Sequence, residues 1–200
     1  MTYTVKEIYA TRQGEGANTG KPAVFLRFAG CNLWTGREAD RARAICQFCD
    51  TDFVGGTKYA TAESLAQAVA SFGHSFVVCT GGEPLLQLDT PLIDALHREG
   101  FDIAIETNGT IAAPPGIDWI CVSPKANAPF VQRTGNELKV VVPQVGLNLE
   151  SLEQLDFDHF FLQPMDCADV ERNTRLAAGY CRAHPRWQLS IQTHKLLGIK

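Results

Sequence analysis

Short apolar runs, several of them followed by polar residues, recur along most of the chain. Residues 2–10 alternate between polar and apolar side chains and predict a strand. Further strands are predicted at 23–29, 76–80, 102–107, 119–122, 137–143, 160–162 and 187–193. Helical patterns cover 61–72, 92–99, 148–155 and 169–183, and the composition of 32–45 indicates one more short helix. Strands that alternate with helices favour parallel βα units.

Fewer helices than strands are predicted, because proline-rich connections follow two of the strands. These connections are Ala112-Ala-Pro-Pro and Asn127-Ala-Pro. We therefore expect an α/β fold: an incomplete, stripped-down (β/α) barrel of about six parallel strands with an added amino-terminal strand. Residues 1–200 are expected to form a single domain, since this length suits one hydrophobic core.

Polar residues cluster where several predicted strands end. The groups are Thr80-Gly-Gly-Glu83-Pro, Glu106-Thr-Asn-Gly, Ser123-Pro124-Lys125, Gln163-Pro164-Met165-Asp166 and, after the last strand, His194. Taken alone, each such end is as simply explained by a turn into solvent. (β/α) barrels, however, place their sites at the carboxyl ends of the strands. The repetition therefore favours one shared functional rim.

Charge and hydropathy exclude several classes of protein. The chain has 18 Lys and Arg against 22 Asp and Glu, a net charge of −4, which argues against a broad basic footprint for nucleic acid. Its amino terminus lacks the basic and apolar regions of a signal peptide, and no apolar run approaches the length of a membrane span. We expect a cytoplasmic protein with neither a nucleic-acid nor a membrane partner.

Three of the seven cysteines, Cys31, Cys46 and Cys49, fall in one segment, 31–49. In a reducing compartment, clustered cysteines are better interpreted as metal ligands or catalytic groups than as disulfides. Structural zinc needs four protein ligands. A [4Fe-4S] cluster held by three thiolates would leave one iron open for a small molecule. A non-catalytic module stabilised by zinc remains an alternative, whereas Cys79 and Cys121 are interpreted as buried apolar residues.

The three thiols and the segment Thr80-Gly81-Gly82-Glu83-Pro84 together resemble the radical S-adenosylmethionine (SAM) superfamily. One departure is clear, since fourteen residues separate the first two thiols where the superfamily usually has three. An expanded loop in so short a chain is similar to the 7-carboxy-7-deazaguanine synthase (QueE) family of queuosine biosynthesis. The flanking segments that agree are Gln13-Gly-Glu15-Gly, Cys49-Asp-Thr51-Asp, Glu106-Thr-Asn-Gly, Ser123-Pro-Lys125, Gln163-Pro-Met-Asp166 and Gln192-Thr-His194-Lys.

The resemblance implies a carbon–nitrogen lyase that converts 6-carboxy-5,6,7,8-tetrahydropterin into 7-carboxy-7-deazaguanine with loss of ammonia. A 5′-deoxyadenosyl radical formed from SAM would abstract the hydrogen at C6 of the pterin, and ring contraction would follow. The implied cofactors are a [4Fe-4S] cluster, SAM and Mg²⁺. The implied partners are a one-electron donor, either a flavodoxin-like protein or a chemical reductant, and a second copy in a homodimer. Another radical SAM reaction, such as activation of a glycyl-radical enzyme, is the enzymatic alternative.

The resemblance also implies a role for particular positions, with no catalytic side chain, since the cofactor carries the radical. Contacts to SAM are expected from Phe48, Cys49, Asp50, Gly82, Glu83, Ser123, Pro124, Lys125, Gln163, Pro164, Met165 and Asp166. Contacts to the substrate are expected from Gln13, Gly14, Glu15, Arg27, Thr80, Glu106, His194 and Lys200. Cluster ligands are expected from Cys31, Cys46 and Cys49, and a magnesium ligand from Thr51.

Simpler interpretations stay open at five places. Residues 12–22 could be a flexible connector, and Arg27 could form a salt bridge with a neighbouring strand. Asp50, Thr51 and Asp52 could close a turn instead of facing a cation. Lys139 is left outside the predicted site, because a solvated lysine explains it as well as a SAM contact. The segment ending in Lys200 is either a cover for the barrel mouth or a frayed tail.

Overall fold

Nine strands form a single open sheet in a computed structural model that describes residues 2–200. The strands are β1 (Tyr3–Arg12), β2 (Pro22–Phe28), β3 (Thr57–Tyr59), β4 (Phe76–Gly81), β5 (Asp102–Thr107), β6 (Trp119–Val122), β7 (Thr134–Val142), β8 (Asp156–Pro164) and β9 (Trp187–Leu189). Their order in the sheet is β3-β1-β2-β4-β5-β6-β7-β8-β9. The seven strands from β2 to β9 in this order are parallel, while β1 pairs antiparallel with both β2 and β3.

The predicted fold, an incomplete barrel with an added amino-terminal strand, is confirmed. The parallel part has seven strands where about six were expected, and β3 lies in a segment for which no element was predicted. Because β3 has only three residues and pairs with one edge of β1, its pattern is too short to distinguish from a loop.

Five α-helices accompany the sheet: α1 (Ala62–Ala70), α2 (Thr90–Arg98), α3 (Leu149–Leu152), α4 (Val170–Ala183) and α5 (Thr193–Leu197). Short 3-10 helices cover Glu38–Arg43 and Pro84–Leu86. The first lies, as expected, within segment 31–49, which carries the three clustered cysteines and is called the cysteine loop below. The Thr61 hydroxyl accepts from the Ser64 N–H to cap α1, and the Asp89 carboxylate accepts from the Leu92 N–H to cap α2. Asp169 stands at the N-cap position of α4, but its side chain makes no capping hydrogen bond.

The last strand is shorter than predicted. It ends at Leu189 instead of residue 193, and the chain then turns into α5. The cause is a competing set of partners: the Thr193 N–H and hydroxyl both donate to the Gly14 carbonyl, and the Ser190 hydroxyl accepts from the Gly16 N–H. These bonds draw the segment away from the sheet and place α5 over the strand ends.

Side chains alternate between the two faces of each strand, so one face of the sheet packs against the helices in the core and the other faces the interior of the half-barrel. On β2 and β4, Val24, Leu26, Val77 and Cys79 face outward and pack under α1 and α2, while α4 covers β7 to β9. The opposite face, which includes Arg27, lines a cavity at the carboxyl ends of the parallel strands. None of the helices between residues 2 and 200 has the length and apolar character of a membrane-spanning segment.

Candidate active site

A cavity of about 520 Å³ lies inside the half-barrel and brings together nearly all of the predicted site residues. Its walls come from the inner face of the sheet, the loop after β1, the cysteine loop and α5. The predicted residues that line it are Gln13, Gly14, Glu15, Arg27, Cys31, Cys46, Phe48, Cys49, Asp50, Thr51, Thr80, Gly82, Glu106, Ser123, Lys125, Gln163, Pro164, Met165, Asp166, His194 and Lys200. Glu83 and Pro124 are buried outside this lining.

One end of the cavity carries the three thiols of the cysteine loop. Cys31, Cys46 and Cys49 are free cysteines that all face it, and Cys46 is buried. A hydrogen bond from the Cys46 thiol lowers the pKa of Cys49 to about 6, while burial raises the pKa of Cys31. Thiolates are the form in which cysteines bind metals. Three such donors around one cavity match a cubane cluster with an open iron.

Arg41 holds in place the segment between Cys31 and Cys46. Its Nη1 donates to the carbonyl oxygens of Gln47 (2.9 Å) and Cys49 (3.0 Å), and its guanidinium stacks 4.1 Å from the centre of the Trp34 ring. Trp34 in turn packs edge-on against Phe53. The 3-10 helix is thereby tied to the backbone turn that presents the last two thiols.

The two glycines after β4 bring that strand end against the segment leading to the first thiol. A Cβ on Gly82 would lie 2.1 Å from the Gly30 carbonyl oxygen and 2.6 Å from the Cys31 Cβ. A Cβ on Gly81, where φ is +147°, would lie 2.3 Å from the Phe28 carbonyl oxygen. Glycine is therefore required for the approach of two backbones to each other, in addition to any approach of a ligand.

Glu83, an expected contact of SAM, also has a structural role, and its contact with SAM stays a prediction. It is fully buried, and its carboxylate accepts from the Leu85 N–H (3.0 Å), the Thr107 hydroxyl (2.8 Å) and the Asn108 N–H (2.8 Å). Burial raises the pKa of this carboxyl group. Glu83 therefore joins the end of β4 to the end of β5, and its oxygens have partners within the protein.

Lys125 and Ser123 form a polar pair at the end of β6, facing the thiols. The Lys125 Nζ donates to the Ser123 carbonyl oxygen (2.6 Å) and hydroxyl (2.7 Å). Burial lowers the pKa of Lys125, and the negative charge of the thiolates opposes this. The pair therefore places a cation beside the cysteine loop.

The end of β8 is held by two further contacts. The Gln163 Oε1 accepts from the Ser190 hydroxyl (3.0 Å). Asp166 accepts from the Lys195 Nζ at 2.5 Å, and the same ammonium donates to Asp50 at 2.6 Å. Lys195 thus joins α5 to both the cysteine loop and the end of β8, a role that its sequence position alone did not indicate.

The opposite end of the cavity is built around Lys139. Its ammonium group donates to Glu15 (2.7 Å) and Glu106 (2.9 Å), and the residue is only 3% exposed. The interpretation of Lys139 as a solvated lysine is therefore wrong. The cue was available, since a lysine inside the apolar run of a strand needs a partner.

Two glutamines complete this end of the cavity. The Gln192 amide donates to Glu15 (2.8 Å) and the Gln13 amide donates to Glu106 (3.1 Å). Burial raises the pKa of Glu15, but the charge of Lys139 and its hydrogen bond outweigh burial and lower that pKa to about 2. Gln192 lay in a recognised segment without an assigned role, and its contact depends on α5, which was not predicted.

Gly14 and His194 lie directly against each other. A Cβ on Gly14 would be 2.2 Å from the His194 Nδ1. Burial lowers the pKa of His194, which favours the neutral imidazole. The loop after β1 is therefore ordered by α5, and the interpretation of residues 12–22 as a flexible connector is wrong for this part of the loop.

Arg27 forms the salt bridge that was its simpler interpretation, and it also faces the cavity. Its Nε lies 2.9 Å from Glu7 and its Nη2 donates to the Tyr9 hydroxyl at 2.9 Å. Glu7 pairs with Lys200 as well, and the Lys200 ammonium lies 4.7 Å from the centre of the Tyr9 ring. The Lys200 carbonyl oxygen accepts from Thr11 at 2.5 Å, so this residue is bound to β1 and not frayed.

The two carboxylates that flank Thr51 are each paired with a lysine. Asp50 binds Lys195, and Asp52 binds Lys6 at 2.7 Å. Across residues 2–200, no three His, Cys, Asp or Glu side chains are arranged around a single metal ion. Thr51 faces the cavity, and its role as a magnesium ligand stays a prediction.

Comparisons with known proteins point to one family. The chain is 61% identical to the 7-carboxy-7-deazaguanine synthase of Caulobacter vibrioides and 59% identical to that of Burkholderia multivorans, in each case over the full length of both chains. It also resembles the crystal structure of QueE from Escherichia coli, with a TM-score of 0.72 and 29% identity, over 96% of this chain and 94% of that one. No family model matches the chain. At this identity and coverage, the chain belongs to the 7-carboxy-7-deazaguanine synthase family, whose members are radical SAM lyases of queuosine biosynthesis.

Proposed function

We propose that this chain converts 6-carboxy-5,6,7,8-tetrahydropterin into 7-carboxy-7-deazaguanine with loss of ammonia. The supporting observation is that one cavity has three cysteines at one end and the Glu15–Lys139–Glu106 network at the other. The first end suits a redox cofactor, and the second suits the N–H donors of a heterocycle. Membership of the family supports the same reaction.

The residues present fit the cofactors that this reaction needs. Cys31, Cys46 and Cys49 would hold the [4Fe-4S] cluster, and the cavity beside them would receive SAM. Its neighbours there would be Phe48, Asp50, Gly82, Ser123, Lys125, Gln163, Pro164, Met165 and Asp166, with Glu83 and Pro124 acting through the backbone that they fix. When bound, the cluster and SAM supply a carbon radical that removes the hydrogen from C6 of the pterin.

The task of the protein is to bind the pterin in one orientation and to exclude water from the radical. Glu15 and Glu106 would accept hydrogen bonds from the amino edge of the heterocycle. Arg27, already oriented by Glu7, would attract the substrate carboxylate. Gln13, Gly14, Thr80, His194 and Lys200 would border the remaining edges, since all five line the same cavity.

Magnesium is part of this proposal through Thr51, because a hydroxyl oxygen is a ligand that Mg²⁺ accepts. The change Thr51→Val should lower turnover and make it insensitive to added magnesium, while SAM cleavage without substrate persists. Thr57, which lies in β3 outside the cavity lining, provides the matched control Thr57→Val. Undiminished magnesium dependence in Thr51→Val would remove Thr51 from the site.

A one-electron donor, flavodoxin-like or chemical, and assembly as a homodimer complete the proposal. The direct test is anaerobic reconstitution with iron and sulfide, followed by incubation with SAM, dithionite and the carboxypterin. We expect a brown protein that bleaches on reduction and a product with the mass of 7-carboxy-7-deazaguanine. SAM cleavage with unchanged carboxypterin would favour another radical SAM reaction, and a colourless protein with one zinc would favour the binding module.

A further inference from the structure

Lys139 is a buried cation that the proposed reaction does not yet use. It lies on β7 and is 3% exposed, at the end of the cavity away from the cysteines. Its ammonium group bonds to an oxygen of Glu15 on the loop after β1 and to an oxygen of Glu106 on β5. A single side chain therefore joins two elements that are 91 positions apart in the sequence.

Each of the two carboxylates has one further partner, and the two partners have the same chemistry. The Gln192 amide donates to the second oxygen of Glu15, and the Gln13 amide donates to the second oxygen of Glu106. A carboxylate oxygen accepts about two hydrogen bonds, so both groups retain acceptor capacity toward the cavity. Their orientation is set by the ammonium group between them.

We propose that Lys139 is a positioning residue for the pterin: it holds the carboxylates of Glu15 and Glu106 side by side so that both face the substrate. This inference rests on the proposed function and extends it. Without Lys139, two acidic side chains would lie close together in a buried place with no cation between them. Such a pair keeps a proton or moves apart, and either response removes an acceptor from the substrate.

Several titratable groups surround this network, and each belongs to a different element. They are Glu15 on the loop after β1, Glu106 on β5, Cys121 on β6, Lys125 after β6, Glu137 on β7 itself and His194 on α5. Burial raises the pKa of Glu137 and that of Cys121. Burial thus disfavours the charged form of both groups, and the cation in direct contact with Glu15 is the Lys139 ammonium group.

The sign of the expected pH dependence follows from Glu15. With Lys139 in place its pKa is about 2, so it is ionised throughout the neutral range. Without Lys139, burial remains and the opposing charge is lost, so the pKa of Glu15 rises. Substrate binding in such a variant should be weakest at low pH and should recover as the pH increases.

The test measures equilibrium binding of the carboxypterin to reconstituted protein with SAM but no reductant, from about pH 6 to about pH 9. In wild type, the Kd should not rise toward the lowest pH of this range. In Lys139→Met, which keeps the chain length and removes the charge, the Kd at neutral pH should rise about tenfold or more and fall again as the pH rises.

Glu137 provides the matched control. It lies two residues away on the same face of β7 and is as buried as Lys139, but it forms no salt bridge among residues 2–200, and its carboxylate accepts from the Ala17 N–H. Glu137→Gln keeps an acceptor for that N–H, so the Kd and its pH profile should match those of wild type. A purely structural role for this part of β7 would change both variants alike.

Lys139→Arg covers the case in which Lys139→Met does not fold. The guanidinium keeps the charge but cannot occupy the same point between the two acids. Its pH profile should therefore be flat, while its Kd rises several-fold. A wild-type Kd in Lys139→Arg, or an unchanged pH profile in folded Lys139→Met, overturns the inference alone. A wild-type protein that binds no carboxypterin overturns the proposed function and the inference with it.

Discussion

The two ends of the cavity are built in different ways. At the cysteine end, ordering comes from one continuous loop and from partly exposed ion pairs such as Lys195 with Asp50 and Asp166. At the opposite end, ordering comes from the buried Lys139 and from two partly buried carboxylates of distant elements that meet at it. The first design suits a loop that must receive a cluster after folding. The second suits a rigid surface that selects one orientation of a substrate.

The largest effect on activity should come from replacing the three cysteines of the cysteine end. Cys31→Ala, Cys46→Ala and Cys49→Ala should each lose the iron–sulfur absorbance and SAM cleavage, because each removes one of three ligands. Cys79→Ala is the control, since Cys79 is a fully buried residue of β4 that packs under the helices. Iron content after anaerobic reconstitution is the measurement. Retained iron in a Cys31, Cys46 or Cys49 variant would contradict the assignment of that cysteine.

The next largest effect should be on the free energy of unfolding, when the Lys139 end of the cavity is changed. Lys139→Met should lower the free energy of unfolding by about 3–5 kcal/mol, the usual cost of leaving buried charges without their partner. Glu137→Gln should cost much less, because the new amide oxygen can still accept from the Ala17 N–H and no salt bridge among residues 2–200 is broken. Urea unfolding of the two variants without cofactors measures this difference. Equal losses would mean that burial of this strand, and not its charge, determines the stability.

A smaller effect should follow from crowding at the boundary of the cysteine end. Gly82→Ala should destabilise the protein by about 1–3 kcal/mol, since the new methyl group would press on the Gly30 carbonyl oxygen. Gly179→Ala, in α4 with open space around it, should instead stabilise by about 0.5–1 kcal/mol. Thermal unfolding of both variants is the check. A Gly82→Ala protein as stable as wild type would show that the two backbones can separate without cost.

The smallest effect on the free energy of unfolding should come from removing the partly exposed ion pairs. Lys195→Ala should change the free energy of unfolding by less than about 1 kcal/mol, because its partners are half exposed to water. The change should shrink further at high salt, where exposed charges are screened. Denaturant unfolding at low and high salt tests this. A loss of several kcal/mol would place Lys195 with the buried network instead of the surface pairs.

The same contrast explains what could be predicted from the sequence. The cysteine end was accessible because its residues are contiguous: three thiols, the Gly-Gly turn and the Thr51 segment form local motifs whose spacing is itself informative. The alternation of strands also indicated the shared rim. The features that the sequence did not predict depend on contacts between residues far apart in the chain. The role of Lys139 stayed open between a solvated lysine and a SAM contact, because its two acids lie on other elements, and α5 was missed because its first residues bond to the loop at Gly14.

Glu83 illustrates a different limit. The resemblance indicated its importance but not which atoms it contacts, and in the structure its carboxylate is occupied by Leu85, Thr107 and Asn108. A motif identifies residues that a site requires. It does not separate a residue that touches the ligand from one that shapes the backbone around it.

If the cysteine end generates the radical and the Lys139 end orients the substrate, one anaerobic reaction of Lys139→Met should separate the two functions. With SAM, reductant and carboxypterin present, both 5′-deoxyadenosine and 7-carboxy-7-deazaguanine are counted in the same sample. The variant should cleave SAM at a rate close to the rate of wild type in the absence of substrate, and it should form far less deazaguanine product than wild type does. Parallel loss of both products in a folded variant that retains its iron would contradict it.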